Sequence, residues 1–533
     1  MFLVRITNRL CPLCLPGRAI VPQQRGTEQS PDDKKFRIGG ARWYTAPQSN
    51  DGQTHGTPIA APPIGAAGRQ DMAIGKTTSG NRFRAILLVL GCILLLLIVQ
   101  GIFLVGKPPS IDIGTDMAAI GKQTPFRIEV SESRRGLTYV KAELVQGDKA
   151  ATLVEKEYPA SWQFMPWGSK QTADALAGTA GVGALPGLQE GTASLRVTAG
   201  RAPTWLRRPD PQVREILLPV RLTPPSLQVT SSRMYISQGG CELVTYRVGE
   251  TAQRDGVQAG PWWFPGYPLP GGGSRDRFAL FAAPYDTDSP DIRLIAADDA
   301  GNESRRDFLD IFKAKSFRED TFTISDAFIA GVVAEIIHQT AEIQDRGNPL
   351  ENFLAVNRDL RLKNDATIKN LAQKTRPEFL WSKPFLMLPN GKVTAAFGDR
   401  RTYRYQGETV DRQTHLGYDL ASTQNADIPS PNDGVVVLAG LLGIYGNTVV
   451  IDHGYGLMTI SGHLSSMSVE EGQRISRGDI IGRTGATGLA GGDHLHYGTL
   501  LQGLPVNPVE WSDGHWIRDR IASKLGPASP FSE

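Results

Sequence analysis

The chain has 533 residues, 57 Lys+Arg against 54 Asp+Glu and a formal net charge of +3. With charge this balanced and no basic tract, polynucleotide binding has no support. Of the four cysteines only Cys241 lies beyond the apolar segment described next, so no internal disulfide can hold that portion, and its domains must be held by hydrophobic cores, which their length permits.

Residues 1–84 are rich in Pro, Gly, Gln, Arg and Asp and lack apolar periodicity, the composition of a disordered tail. Cys11-Pro-Leu-Cys14 has redox or metal spacing but no partner pair or βαβ context, so it reads as incidental. Met72 is a candidate translation start, which would leave the first 71 residues outside the natural protein. From Ala85 to Val105 the chain is unbroken in apolar character, with Gln100 its one strongly polar residue. About 20 such residues cross a hydrocarbon core of about 30 Å as a helix. We expect one transmembrane helix over residues 85–106. A cleaved signal peptide is the alternative, disfavoured because the stretch is longer than a usual signal core. Val89-Leu-Gly-Cys92 has the form of a lipidation site, but the apolar residues that follow it are unlike a mature lipoprotein terminus. Lys76, Arg82 and Arg84 precede the helix, whereas Lys107, Asp112 and Asp116 follow it. This asymmetry places the N-terminal side in the cytoplasm and everything later outside the cytoplasmic membrane.

The middle of the chain reads as β-rich. Phe126–Val130 and Leu137–Val145 alternate with period two. Val213–Leu222 is a further strand, whose Pro219 predicts an edge position. Leu243–Val248 and Asp291–Ala297 continue the series. Strands of this length, divided by Pro/Gly turns, predict two β-sandwich-like modules over 107–222 and 223–320, the second immunoglobulin-like. Their expected role is a spacer or a wall- or partner-binding arm. Trp262 and Trp263 could stack on a glycan, but in a Pro/Gly loop they read as packing residues. Over 321–384 the period becomes helical. Ser325 is the expected N-cap, and Phe328, Val332, Val333, Ile336, Ile337 and Ile343 form an apolar stripe that Gly347 and Pro349 should stop. A second helix is expected from Leu350 to Gln373, completing a helical hairpin. This hairpin, or the arm before it, is a candidate cover for the histidine-bearing region that follows.

Six of the eight histidines lie between residues 415 and 515. Thr-His415-Leu-Gly-Tyr-Asp419 supplies an imidazole and a carboxylate, Gly462-His463-Leu another imidazole, and Asp-His494-Leu-His496 two more at i and i+2. On a strand, i and i+2 face one side. The surroundings are β-like: Gly434–Leu438, Asn447–Asp452 and Ile475–Ile481 read as short strands. Nitrogen and oxygen donors in this number suit Zn²⁺, and a catalytic zinc takes three protein ligands and leaves a fourth position for water. Two histidines would remain for proton transfer. His453, in Asp-His-Gly-Tyr-Gly, reads as structural, and so do His55, His338 and His515.

Residues 391 to about 511 resemble the lysostaphin-type zinc metallopeptidases, also called LytM-like domains. The resemblance rests on ordered anchors: Gly391-Lys-Val-Thr-Ala-Ala-Phe-Gly398, His415-x-Gly-x-Asp419, Gly446-Asn-Thr-Val-Val-Ile-Asp-His-Gly454, Gly462-His463-Leu, Gly478-Asp-Ile-Ile-Gly482, Gly485-Ala-Thr-Gly488, His494-Leu-His496 and Pro505-Val-Asn-Pro508. It implies that His415, Asp419 and His496 ligate zinc, while His463 and His494 orient water and stabilise the oxyanion. Two departures stand out: Thr459-Ile-Ser before Gly462, and Tyr497-Gly-Thr after His496. The fold class expected is mainly β, with a zinc peptidase domain of antiparallel strands over 385–515 and a C-terminal tail over 516–533. The function implied is that of an endopeptidase cutting peptide cross-links of bacterial cell-wall peptidoglycan. It would be held in the inner membrane by one helix, with its C-terminal domain in the periplasm and an envelope protein as a further candidate partner. The alternative is a non-enzymatic envelope regulator that activates a separate wall hydrolase.

Overall fold

The computed structural model describes residues 79–103, 105–114, 118–159 and 170–532. The expectations for Cys11, Cys14, His55 and Met72 lie outside the described residues. The apolar run forms a helix, Ser79–Phe103, long and apolar enough to cross a membrane. Most of its leucines and isoleucines are exposed, as Leu88 and Leu95 illustrate. A sheet-bearing body follows, tied to the end of this helix by Thr204 Oγ1 donating to Gly101 O and Arg201 Nη1 donating to Gly106 O.

Two sheets make the first β unit. Ser110–Ile113, Thr124–Ser131 and Ala173–Ala180 form one; Lys149–Glu157, Leu137–Gln146, Gly191–Arg201 and Gln212–Val220 form the other. Thr124–Ser131 alternates buried and exposed without a break, so Phe126, Ile128 and Val130 enter the core with Val140, Leu144, Leu195 and Val197. Gln212–Val220 is the last strand of its sheet. Pro219 therefore sits at an edge, where its missing N–H costs no ladder bond.

The second unit pairs the sheet of Tyr267–Pro268, Asp276–Ala282, Cys241–Val248 and Leu227–Val229 with that of Trp262–Pro265, Arg254–Ala259, Ile292–Ala297 and Glu303–Arg306. Trp263 lies under the Arg254 guanidinium, 3.8 Å from its ring centre, and Trp262 under Lys369 at 4.9 Å. Both tryptophans thus have cationic packing partners.

Helical structure runs from Asp326 to Gln339, with a wider π turn at Ile329–Val333. Ser325 Oγ caps it by accepting from Phe328 N. The helix ends earlier than its stop signals predict, at an extended Thr340. Gly347 and Pro349 instead open the next helix: Asn348 Oδ1 accepts from Leu350 N and Glu351 N, and Pro349 occupies the first turn, where a missing N–H is harmless. That helix continues to Ala372 through a π turn at Ala355–Leu360.

The C-terminal domain is built on a large antiparallel sheet. Its strand order is Lys392–Ala395, Tyr418–Ala421, Leu495–Leu501, Leu457–Gly462, Asn447–Asp452, Gly434–Leu441 and Arg474–Ile475. The expected strand Ile475–Ile481 is in fact two. Gly478 turns the chain at φ +95°, and Ile480–Arg483 joins a separate small sheet. A hairpin of Arg400–Tyr405 and Glu408–Thr414 stands beside the large sheet, and Glu319–Ile324 adds to it in parallel.

Residues expected as a tail, 516–533, instead include short helices between Gly514 and Ala528. Ile517, Ile521 and Leu525 are buried because i, i+4, i+8 spacing places them on one stripe. They share a single core with Leu243, Phe278 and Phe281 of the second β unit and Trp381, Leu501 and Trp511 of the C-terminal domain. Lys524 Nζ pairs with the fully buried Glu242 at 2.7 Å, and Arg520 Nη1 lies 3.3 Å from the same carboxylate. The second β unit and the C-terminal domain are therefore fused through apolar packing and a buried ionic cluster.

Candidate metal centre and active-site groove

His415 follows the strand Glu408–Thr414, and its backbone N donates to Asp399 O. Asp419, on Tyr418–Ala421, is in register with His496 on Leu495–Leu501. The adjacent strands thus bring together residues 77 apart in sequence. Asp419 Oδ1 lies 2.9 Å from His415 Nε2 and 3.0 Å from His496 Nδ1, and the two nitrogens are 3.1 Å apart. All three residues are buried. Gly417 makes this possible: a Cβ there would stand 2.7 Å from His496 Nε2, which accounts for glycine within His-x-Gly-x-Asp.

This donor set fits a zinc ion. His415 Nδ1–H donates to Ala396 O, so its Nε2 bears a bare lone pair facing a carboxylate oxygen. Such a pair of acceptors needs a cation or a proton between them. Tetrahedral ligands at about 2.0–2.1 Å from zinc stand about 3.3 Å apart, close to the separations seen. Burial opposes the Asp419 carboxylate, but the neighbouring imidazoles of His415, His494 and His496 outweigh it and hold the group well below the usual carboxylate range. Asp419 Oδ2 accepts from Arg401 Nη2 at 2.8 Å. Arg401 escaped the sequence reading; the one signal was its place in the charged run Asp399–Arg401 at the start of the hairpin strand.

His463 and His494 flank the cluster, their ring centres 4.8 Å apart. His463 adopts φ +66°, a region few non-glycine residues enter. Its N donates to Tyr445 O and its Nδ1–H to Thr487 O, both at 2.7 Å. Its Nε2 is left as an acceptor, and burial pushes its pKa down to about 3. His494 Nδ1–H donates to Gly492 O, and its Nε2 lies 3.6 Å from Asp419 Oδ1. Burial disfavours the His494 imidazolium, but Asp419 outweighs it, and the pKa is raised.

His453 is not part of this group. Both its nitrogens are used, on Asp433 O and Thr459 Oγ1, and it packs edge-on against Phe385. Thr459, one of the departures from the resemblance, thus has a structural partner. His338 and His515 are also absent from the groove lining, a space of about 340 Å³. Tyr445 and Leu489 form part of its wall, and Phe322, Phe328 and Phe353 from the preceding strand and helices form another part. The region expected to cover the groove therefore contributes aromatic wall residues, of which helical periodicity singled out Phe328 but not Phe322 or Phe353.

The sequence pattern of Peptidase family M23 matches residues 413–508. Over 118 residues the chain is 38% identical to the DD-carboxypeptidase/endopeptidase Mpg of Neisseria meningitidis serogroup B, covering 22% of this chain and 26% of that protein. Over 172 residues it is 31% identical to the peptidoglycan DD-endopeptidase ShyA of Vibrio cholerae, covering 32% and 37%. The chain thus spans about a quarter to a third of the length of these relatives. A putative peptidase M23 of known structure from Pseudomonas aeruginosa overlays 51% of this chain and 92% of its own, at 21% identity and a TM-score of 0.32. The stretch that holds His415, Asp419, His463, His494 and His496 is a peptidase family M23 (LytM-like) domain at the C-terminal end of this chain.

Proposed function

We propose that this chain is a zinc-dependent endopeptidase, anchored in the inner membrane, that cleaves peptide cross-links of bacterial peptidoglycan. The observation that carries this reading is the convergence of His415 Nε2, Asp419 Oδ1 and His496 Nδ1, 2.9–3.1 Å from one another, with two further histidines at the same groove. These three atoms would hold the metal. Bound zinc supplies a Lewis acid that polarises a carbonyl and makes water acidic near pH 7. His463, which burial keeps neutral, offers Nε2 as the acceptor that orients a water molecule, while Thr487 O fixes its tautomer. His494, whose protonated form Asp419 favours, donates from Nε2 to developing negative charge or to the leaving amine. The substrate class follows the peptidoglycan named for the relatives. The exposed apolar helix and its basic N-terminal flank support the location.

The test is release of soluble muropeptides from purified sacculi by zinc-loaded protein, beside His463→Ala. Release by the parent alone, with newly freed stem peptides, is expected. No release by either would favour a regulator that acts through a separate hydrolase.

A further inference from the structure

Beside the groove lies a second cavity of about 870 Å³, and the two share Arg361 and Arg401 in their walls. Five guanidinium groups line it, from Arg358, Arg361, Arg400, Arg401 and Arg412, against the carboxylates of Glu319 and Asp365. Strand register explains part of this clustering. Arg400 pairs with Thr414, and Thr402 with Arg412, so alternation puts Arg400 and Arg412 on one face of the hairpin. Two of the five are already neutralised by acids outside the lining: Arg358 by Asp411 at 2.8 Å and Arg401 by Asp419 at 2.8 Å. The other three have no carboxylate at ion-pair distance among the described residues. Arg361 donates only to Asn357, from Nε to its carbonyl and from Nη2 to Oδ1. Burial also pushes the Asp365 carboxyl above its ordinary range, which weakens its claim on Arg361.

We infer that this arginine-lined cavity is a substrate subsite, which takes the free carboxylates of a peptide whose scissile bond lies at the histidines. A planar guanidinium fork fits a carboxylate in two parallel bonds. Three unpaired guanidiniums against two acids leave a small positive excess. That suits one or two isolated carboxylates and is too little for a polyphosphate. Thr402, Gln413 and Thr414 add polar wall groups that can complete the contacts. The identity of the peptide as a peptidoglycan stem rests on the function proposed above; recognition of its carboxylates does not.

The test uses the zinc-loaded full chain in detergent and two cross-linked muropeptide dimers, one with free carboxylates and one with the same groups amidated. Amidation should raise KM about tenfold, the scale of one charge-assisted bond, with kcat little changed. Arg400→Gln/Arg412→Gln should raise KM for the acidic dimer and remove most of the difference between the two; both side chains are exposed, so the fold should tolerate the change. Equal KM for the two dimers with the parent chain would overturn the subsite. If neither dimer is cleaved, the endopeptidase reading fails, and calorimetric binding of the same dimers decides the subsite alone. Binding lost on amidation supports it; equal binding, or none, overturns it.

Discussion

Arg401→Met removes a guanidinium that reaches a candidate metal ligand from behind. Its Nη2 donates to Asp419 Oδ2 at 2.8 Å, while Oδ1 faces the two imidazoles. The pair is poorly exposed, at 20% for the arginine side chain and 12% for the aspartate, so water screens it little. A hydrogen bond to a charged group contributes about 1.5–3 kcal/mol. The same range follows from groups that orient metal ligands, whose loss costs about 10–100-fold in metal affinity. Methionine keeps much of the stem that packs near Phe322, 5.4 Å from the guanidinium carbon, so the loss is chiefly electrostatic. Zinc affinity, measured by competition with a chromophoric chelator, should fall about 10–100-fold with circular dichroism unchanged. Arg404→Met on the same strand is the control, because that side chain is exposed and bonds only to Gly407 O. An affinity for Arg401→Met within twofold of the parent would refute the reasoning.

Three other outcomes follow from the same structure. His463→Ala should lower turnover of cross-linked muropeptides by about 10²–10⁴ yet leave zinc content unchanged by metal analysis; loss of zinc would make His463 a ligand instead. Lys524→Met should destabilise the chain by about 3 kcal/mol in denaturant melts, because Glu242 is fully buried and would keep Arg520 alone as a cationic partner, beside the Leu243 N–H. Adding Glu242→Met should recover much of that loss, and equal midpoints for the single and double variants would contradict this account. Glu510 accepts from Cys241 N at 2.7 Å, and burial pushes its pKa up to about 7 from an ordinary 4.5. The folded state then binds more protons than the unfolded one between about pH 4.5 and 7. Its stability contribution is complete below that window and declines as pH rises through it. Allowing for partial exposure, about 2 kcal/mol should be lost, and Glu510→Gln should flatten this slope in melts between pH 5 and 8.

Chain-local signals were readable without coordinates. Apolar length specified the membrane-length helix, because backbone hydrogen bonding and bilayer thickness constrain it directly. Period-two alternation marked Phe126–Val130, which lies within the strand Thr124–Ser131, and Pro219 marked an edge, because both follow from the strand's own geometry. Donor chemistry singled out His415, Asp419, His463, His494 and His496, since few residue types ligate zinc or move protons near neutrality. Local signals failed where one residue has two uses. Pro349 can stop one helix or start the next, and only Asn348 Oδ1 on the following amides decides between them. Ile475–Ile481 reads as one strand until Gly478 turns it between two sheets. The rest needed three dimensions. Arg401 reaches Asp419 only because a separate hairpin stands against the ligand strands, and no periodicity connects residues 18 apart. Ile517, Ile521 and Leu525 look like a frayed end until the second β unit supplies the apolar surface they cover. The arginine cavity likewise draws on a helix and a hairpin distant in sequence, and charges so gathered have no signature along the chain. Sequence by itself nominated the side chains that could do the chemistry, because that depends on side-chain type. Tertiary structure decided what orients those atoms and what surrounds them, because both depend on contacts between segments that meet only when the chain folds.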